Sequence, residues 1–360
     1  MYDFSFYPGK KVLVTGGLGF IGSNLAIKLV ELGSEVTVVD ALIPELGGNQ
    51  FNIDPIKKDV KVVIADMRDS AKMEKVLEGQ EVVFNIAGQV SHEDGMVDPL
   101  WDLELNATSN IYFLEALRRV NPTAKVIHSG TRQIYGKIEH IPVNERHLVR
   151  PSDTNGISKF AGEWYHMVYA SVYGLKTTSI RLTNTFGPRQ LMRHGRQGFI
   201  PFFIRLALDG KEISVYGDGL QVRDMTYVTD ANDAMLLAGQ SDTSNGKYYN
   251  IGGIKPITLL DFTKNIVKMV KGSSYISPHA SARGYETPPT RGRGNLLEDS
   301  AKSCYKLVPF PEGRKRIDIG DYVGDYTKIK EDLGWRPKVS IEEGLRRTIS
   351  YYKKHKKHYW

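Results

Sequence analysis

Gly16, Gly19 and Gly22 follow the apolar run Val12-Leu13-Val14-Thr15 at three-residue intervals, and Ser23–Val30 continue with helical periodicity. Strand, glycine turn and helix in that order make a cradle for phosphate. Gly16 permits the tight turn, Gly19 lets the backbone approach a pyrophosphate, and Gly22 lets the helix pack closely on the strand. Phe20 and Ile21 open that helix, where free N–H groups and the positive end of the helix dipole face the anion. A second apolar run, Glu35–Val39, ends at Asp40. A carboxylate there accepts hydrogen bonds from an adenosine ribose and repels a 2′-phosphate. No Arg or Lys follows within several residues, so the cofactor expected is NAD rather than NADP.

These residues need a sheet to position them. Runs at 11–15, 35–40, 61–65, 82–86, 124–128 and 176–182 alternate with helical stretches. That alternation predicts an α/β, doubly wound parallel sheet of the Rossmann type. Ligands sit outside the carboxyl ends of such strands, which makes Asp66, Met67, Ala87, Gly88 and Gln89 further cofactor-facing candidates. After about residue 187 the rhythm breaks, so 1–187 reads as mainly the cofactor domain and 188–360 as mainly a smaller α/β substrate lobe. Within it, 220–253 returns to the sheet, with Tyr248–Gly253 as a return strand, and the aperiodic stretch 272–302 reads as a surface loop.

Composition narrows the function classes. The chain is 41% hydrophobic and 25% charged, as soluble globular proteins are. Its net charge of +7 gathers largely in the Lys353–Lys357 tail and at Arg283, Arg291 and Arg293, as solvated surface rather than a nucleic-acid face. Cys304 is the only cysteine, which excludes disulfides within the chain and Cys-based zinc sites; no metal is expected. No 18-residue apolar span occurs, no secretory apolar region precedes the first strand, and the cytoplasm is the expected location, with no membrane partner.

Further motifs follow in order: Ser129-Gly130-Thr131-Arg132-Gln133-Ile134-Tyr135-Gly136, then Asn155-Gly156-Ile157-Ser158-Lys159, Arg181-Leu182-Thr183-Asn184 and Gly219-Leu220-Gln221-Val222-Arg223-Asp224. Together with the glycine loop they resemble the extended short-chain dehydrogenase/reductase family, the NAD-dependent nucleotide-sugar epimerases and dehydratases. Ala87–Val90 with Asp98-Pro99, and Gly219–Asp224, are also similar to the CDP-tyvelose 2-epimerase type. The resemblance implies an alcohol oxidation by a Ser/Thr and a Tyr-x-x-x-Lys pair. It makes Thr131 the hydroxyl and Lys159 the lysine that also holds the nicotinamide ribose. The tyrosine position is Asn155. A phenol with a reference pKa near 10 can be brought down to take a hydroxyl proton; an amide does not titrate in that range. The base is therefore open between a side chain of the Ser91-His92-Glu93-Asp94 segment, a slow route through Thr131 and water, and no turnover at all. Of these side-chain types, only an unperturbed imidazole changes charge near neutrality.

The resemblance also implies substrate residues: Ser91, His92 and Arg132 near the sugar, Asn184 and Arg223 at its diphosphate, and the pair Arg314 and Asp318 at phosphate and nucleotide ribose. Dehydratases of the family carry Asp-Glu after the catalytic threonine. Arg132 and Gln133 stand there instead, and neither removes a proton α to a keto group readily. The reading is an epimerase of a nucleotide-diphosphate sugar, working by transient hydride transfer to tightly bound NAD and a keto-sugar. The alternatives are a dehydratase or oxidoreductase, or a silent NAD and sugar-nucleotide binder. A homodimer through the helix around Asn155–Tyr173 is the expected assembly.

Overall fold

In the computed structural model, which describes residues 2–272 and 304–360, the six apolar runs become strands. They are β1 (Lys11–Thr15), β2 (Glu35–Asp40), β3 (Val60–Ile64), β4 (Val82–Asn85), β5 (Lys125–Thr131) and β6 (Lys176–Leu182). Short strands β7 (Asn184–Phe186), β8 (Ile213–Tyr216), β9 (Val222–Arg223) and β10 (Met225–Tyr227) precede β11 (Lys247–Asn250), β12 (Ile257–Thr258) and β13 (Tyr305–Val308). One seven-stranded sheet runs β3-β2-β1-β4-β5-β6-β11 with every pairing parallel. The order reverses between β1 and β4, which opens a crevice beyond their carboxyl ends. The return strand is β11, in parallel register with β6. The stretch read as a surface loop lies, beyond Gly272, outside the described residues.

Alternation in β1 settles its two faces. Val12 and Val14 pack with α1 (Phe20–Glu31) and α8 (Val228–Gln240), whereas Leu13 packs on the other side. There it meets α2 (Ser70–Leu77) and α5 (Ser109–Val120). A strand covered on both faces must be apolar where it is covered, as Val12, Leu13 and Val14 are. Between them, α3 (His92–Val97) and α4 (Pro99–Leu103) lead through a π-helical turn, Glu104–Thr108, into α5.

The helix that carries two of the expected catalytic positions is α6 (Thr154–Tyr173). Asp153 caps it by accepting from the Gly156 N–H at 2.7 Å, and Gly174 ends it in the left-handed region at φ 71°. A buried ion pair fastens α6 to β6, with Arg181 Nη2 2.6 Å from Glu163. Arg181 Nη1 also donates to the Tyr135 hydroxyl at 2.7 Å, which in turn donates to Asn250 Oδ1 at 2.7 Å. The loop after β5, α6, β6 and β11 are thus tied at one buried point.

A second core lies beyond β7. Helices α7 (Phe199–Leu208), α9 (Leu259–Lys271) and α12 (Ile341–His355) bury Phe203, Ile204, Phe262, Ile266, Leu345 and Tyr352 together. Asp230 accepts from the N–H groups of Lys338 and Val339, both at 2.9 Å, and so buttresses the segment leading into α12. The remaining helices are α10 (Glu312–Ile317) and α11 (Thr327–Leu333).

Candidate active site

A cleft opens along the carboxyl ends of β1, β2, β3 and β4. Gly16, Gly19, Phe20, Ile21, Gly22, Asp40, Asp66, Met67, Ala87 and Gly88 all line it. The glycines answer different constraints. A Cβ at Gly22 would lie 2.3 Å from the Gly16 carbonyl oxygen, so the helix and turn leave no room for a side chain there. At Gly19 a Cβ would meet only that same oxygen, at 3.2 Å, and its other side is open. Gly19 offers no side-chain cap and the first turn of α1 holds no acidic residue, so its N–H groups remain available to an anion. The residues present therefore fit a dinucleotide diphosphate.

Asp40 Oδ2 accepts from the Leu18 N–H at 3.0 Å and Oδ1 from the Leu42 N–H at 2.9 Å, which fixes the carboxylate at the cleft edge. Burial raises its pKa, against the lowering by those two N–H groups. Asp66 is gripped by Arg68 at 2.8 Å, and that hydrogen bond holds its carboxyl below the usual range. Sequence reasoning missed the opposite wall. Leu46, Gly47 and Gly48, and from beyond β7 Gln190, Leu191 and Gln197, close it.

Thr131 is the last residue of β5, its Oγ1 accepting from the Gln133 N–H at 3.2 Å. Asn155 and Lys159 lie one turn apart on α6. The Asn155 side chain is buried in a polar cluster that the sequence did not reveal. Its Nδ2 donates to Asp102 Oδ1 at 2.9 Å, to the Gln89 carbonyl at 3.2 Å and to Gln89 Oε1 at 3.3 Å. A carboxylate and a backbone carbonyl accept only, so the amide nitrogen must face them. Asn155 Oδ1 is then left as an acceptor. Gln89 is fully buried behind this wall, its Nε2 donating to the Ser91 carbonyl at 2.7 Å. Lys159 comes close to Gly88, where an added Cβ would stand 3.1 Å from Nζ. Burial pulls its ammonium down to about 8, with the charge of Asp102 opposing.

Ser91 serves as the cap of α3, its Oγ accepting from the Asp94 N–H at 3.1 Å. Beside it His92 Nδ1 lies 2.9 Å from Asp153 Oδ2, and the same carboxylate oxygen accepts from Gln133 Nε2 at 2.8 Å. Burial raises the Asp153 carboxyl, but His92, the Gly156 N–H and Gln133 outweigh it and hold it below the usual carboxylate range. One buried acid thus links α3, the loop after Thr131 and the start of α6. Asp153 was not among the expected site residues, although an Asp before a helical run is a legible cap.

Arg132 Nη2 donates to Asn184 Oδ1 at 2.9 Å. The expected Arg314 and Asp318 pair divides between other partners. Asp318 lies 2.9 Å from Arg223, whereas Arg314 is paired with Glu93 and donates from Nη1 to the Tyr216 hydroxyl at 3.1 Å. Arg314 therefore straps α10 to α3 beside His92. Among the described residues, no group of three or more His, Cys, Asp or Glu is placed to hold a metal ion, and no helix is long and apolar enough to cross a membrane.

Comparisons with known proteins bear on what this arrangement does. A family model described as GDP-mannose 4,6 dehydratase matches residues 13–348. A Thermotoga maritima UDP-glucose 4-epimerase solved with UDP-glucose is 32% identical, with a TM-score of 0.78, covering 96% of this chain and 99% of that one. A Bacillus cytotoxicus UDP-N-acetyl-alpha-D-glucosaminuronate decarboxylase is 29% identical over 96% of this chain and 98% of its own. The Streptomyces venezuelae dTDP-glucose 4,6-dehydratase DesIV, solved with NAD bound, is 25% identical, with a TM-score of 0.81 over 96% of this chain and 98% of that one.

Proposed function

This chain belongs to the GDP-mannose 4,6 dehydratase family, within the extended short-chain dehydrogenase/reductases that act on nucleotide sugars, and we propose that it is an NAD-dependent epimerase of a nucleotide-diphosphate sugar. The N–H groups at the start of α1 would hold the NAD diphosphate, Asp40 the adenosine ribose and Lys159 the nicotinamide ribose. Bound there, NAD supplies reversible two-electron oxidation of a sugar alcohol to a ketone.

The chain's own groups handle the proton. Thr131 donates to and accepts from the reacting hydroxyl, and Asn155 Oδ1 accepts a hydrogen bond that orients it. Neither titrates near neutrality. We assign the base to His92. The Asp153 carboxylate lies 2.9 Å from Nδ1 and would stabilise the imidazolium that forms as the ring takes the hydroxyl proton, which it later returns. From the 188–360 lobe, across from the 1–187 cofactor domain, Arg223 and Arg314 would meet the nucleotide diphosphate and Asp318 the nucleotide ribose, with 220–253 tying the two together.

The observation that carries epimerisation over dehydration is the pair after Thr131. Gln133 is engaged with Asp153 and Arg132 with Asn184, so neither of these two side chains supplies a base to remove a proton α to a ketone. The named relatives span epimerisation, dehydration and decarboxylation, and these local groups are what supports epimerisation among them. Exposed Leu103, Tyr112, Trp164, Val168 and Val172 on α4, α5 and α6 suit a homodimer built on that face. The test is product NMR after incubation with UDP-, CDP-, dTDP- and GDP-hexoses. Reversible conversion between two stereoisomers is expected; a 4-keto-6-deoxy product would refute the assignment in favour of a dehydratase.

A further inference from the structure

Among the described residues, no acid is paired with the charge of Arg132. Its Nη1 is enclosed and has no acceptor among the described residues, and the Nδ2 of its partner Asn184 is likewise enclosed without one. The aromatic face of Tyr322 supports the guanidinium, 5.2 Å from the ring centre to the guanidinium carbon. The nearby acids are engaged elsewhere. Asp318 is paired with Arg223 at 2.9 Å, and Asp224 accepts from the N–H groups of Gly253 at 2.6 Å and Gly324 at 2.9 Å. Burial, and the neighbouring charge of Arg223, pull the Arg132 guanidinium down to about 10. A buried cation without a counter-ion is costly, and so are buried donors without acceptors.

The open donors belong to the two partners of one hydrogen bond, so a single acceptor group at that bond could answer both. A carboxylate, with two acceptor oxygens and a negative charge, has the chemistry to do so. Arg132 also directly follows Thr131, the residue assigned to the reacting hydroxyl, so the pair is next in the chain to the reacting centre. We propose that Arg132 and Asn184 bind a carboxylate borne by the substrate's sugar, so that the preferred substrates are nucleotide-diphosphate uronic acids rather than neutral hexoses. The assignment rests on the site being a nucleotide-sugar site. The same chemistry could be supplied by the substrate's diphosphate, and the experiment separates the two sources.

The test is calorimetric titration of the NAD-loaded protein with UDP-glucuronate, UDP-glucose and UDP, and with the matching dTDP set. Wild type is expected to bind the acidic sugar at least about 10-fold more tightly than the neutral one, the strength of one hydrogen bond to a charged group. Arg132→Gln should abolish that preference and leave the affinity for UDP alone intact. Asn184→Asp, which gives the guanidinium an internal counter-ion, should turn the preference against the acidic sugar. It keeps the test decisive if Arg132→Gln folds poorly. Equal wild-type affinity for the acidic and neutral sugars would overturn the proposal. An equal loss of all three ligands in Arg132→Gln would assign the pair to the diphosphate and overturn it as well. Failure of wild type to bind either set would bring down the nucleotide-sugar reading itself, and this assignment with it.

Discussion

Exchanging Gly19 and Gly22 separately for alanine should divide binding from folding. Gly19 has φ −79°, which alanine adopts freely, and a Cβ there would meet only the Gly16 oxygen at 3.2 Å. The stability of Gly19→Ala without nucleotide should therefore change by no more than about 0.5 kcal/mol, as for substitutions that create no cavity, clash or orphaned group. The new methyl would stand in the space assigned to the dinucleotide diphosphate, beside the N–H groups that open α1. Losing one hydrogen bond to a charged group costs about 1.5–3 kcal/mol, so NAD affinity should fall roughly 10- to 150-fold. Gly22→Ala meets backbone at 2.3 Å and must move the turn or the helix. Its overpacking penalty of about 1–3 kcal/mol should appear with or without NAD. Calorimetric titration of NAD into nucleotide-stripped protein, paired with urea unfolding, measures both. Wild-type NAD affinity in a normally folded Gly19→Ala protein would refute the placement of the diphosphate.

Three further outcomes follow from the same geometry. His92→Ala should slow turnover about 100-fold or more, the usual share of a general base, and added imidazole should restore part of the rate; normal turnover in His92→Ala would remove His92 from the chemistry. Lys159 titrates at about 8 in the fold against 10.5 for a solvated lysine side chain, so the unfolded chain holds its proton over a window where the native protein does not. The penalty of the charged buried lysine is thus present below about 8 and is relieved as pH rises towards 10.5, while catalysis, which uses the ammonium, declines over that window. Urea unfolding and turnover followed from pH 7 to pH 10 should move in opposite directions, and Lys159→Met should flatten the stability trend; parallel trends would contradict the role given to Lys159. Val168→Asp, placing a charge on the exposed apolar face of α6, should convert a dimer to a monomer by light scattering, and a wild-type monomer at micromolar concentration would dismiss the dimer.

The sequence disclosed the sheet and the cofactor cleft because both are written in local pattern. Apolar runs of strand length lie at the positions of β1 to β6, and the glycine turn needs only near neighbours to be recognised. The strand ends were less legible: β5 runs on to Thr131 because its pairing with β6 extends that far, which depends on residues more than forty positions away. Side-chain partnerships were the least legible. Asp102 meets Asn155 only because the α3–α4 segment folds over α6, and Asp153 reaches His92 across two elements. The resemblance marked Arg314 and Asp318 for phosphate and nucleotide ribose but could not show their partners in the fold: Arg314 faces Glu93, far away in sequence, and Asp318 turns to Arg223. The identity of Asn155 was plain from the start. What its amide does was not, since that is set by acceptors on Gln89 and Asp102.

The central claim is a reversible oxidation of a sugar nucleotide despite the amide at position 155. Its most direct test is rapid mixing of NAD-loaded protein with each member of a sugar-nucleotide panel, acidic sugars included, while absorbance near 340 nm is recorded. The account predicts a rise followed by a return to baseline as the second stereoisomer forms, with both phases slowed in His92→Ala. Tight binding of a sugar nucleotide with no absorbance change and no product would contradict it and make the protein a binder rather than a catalyst.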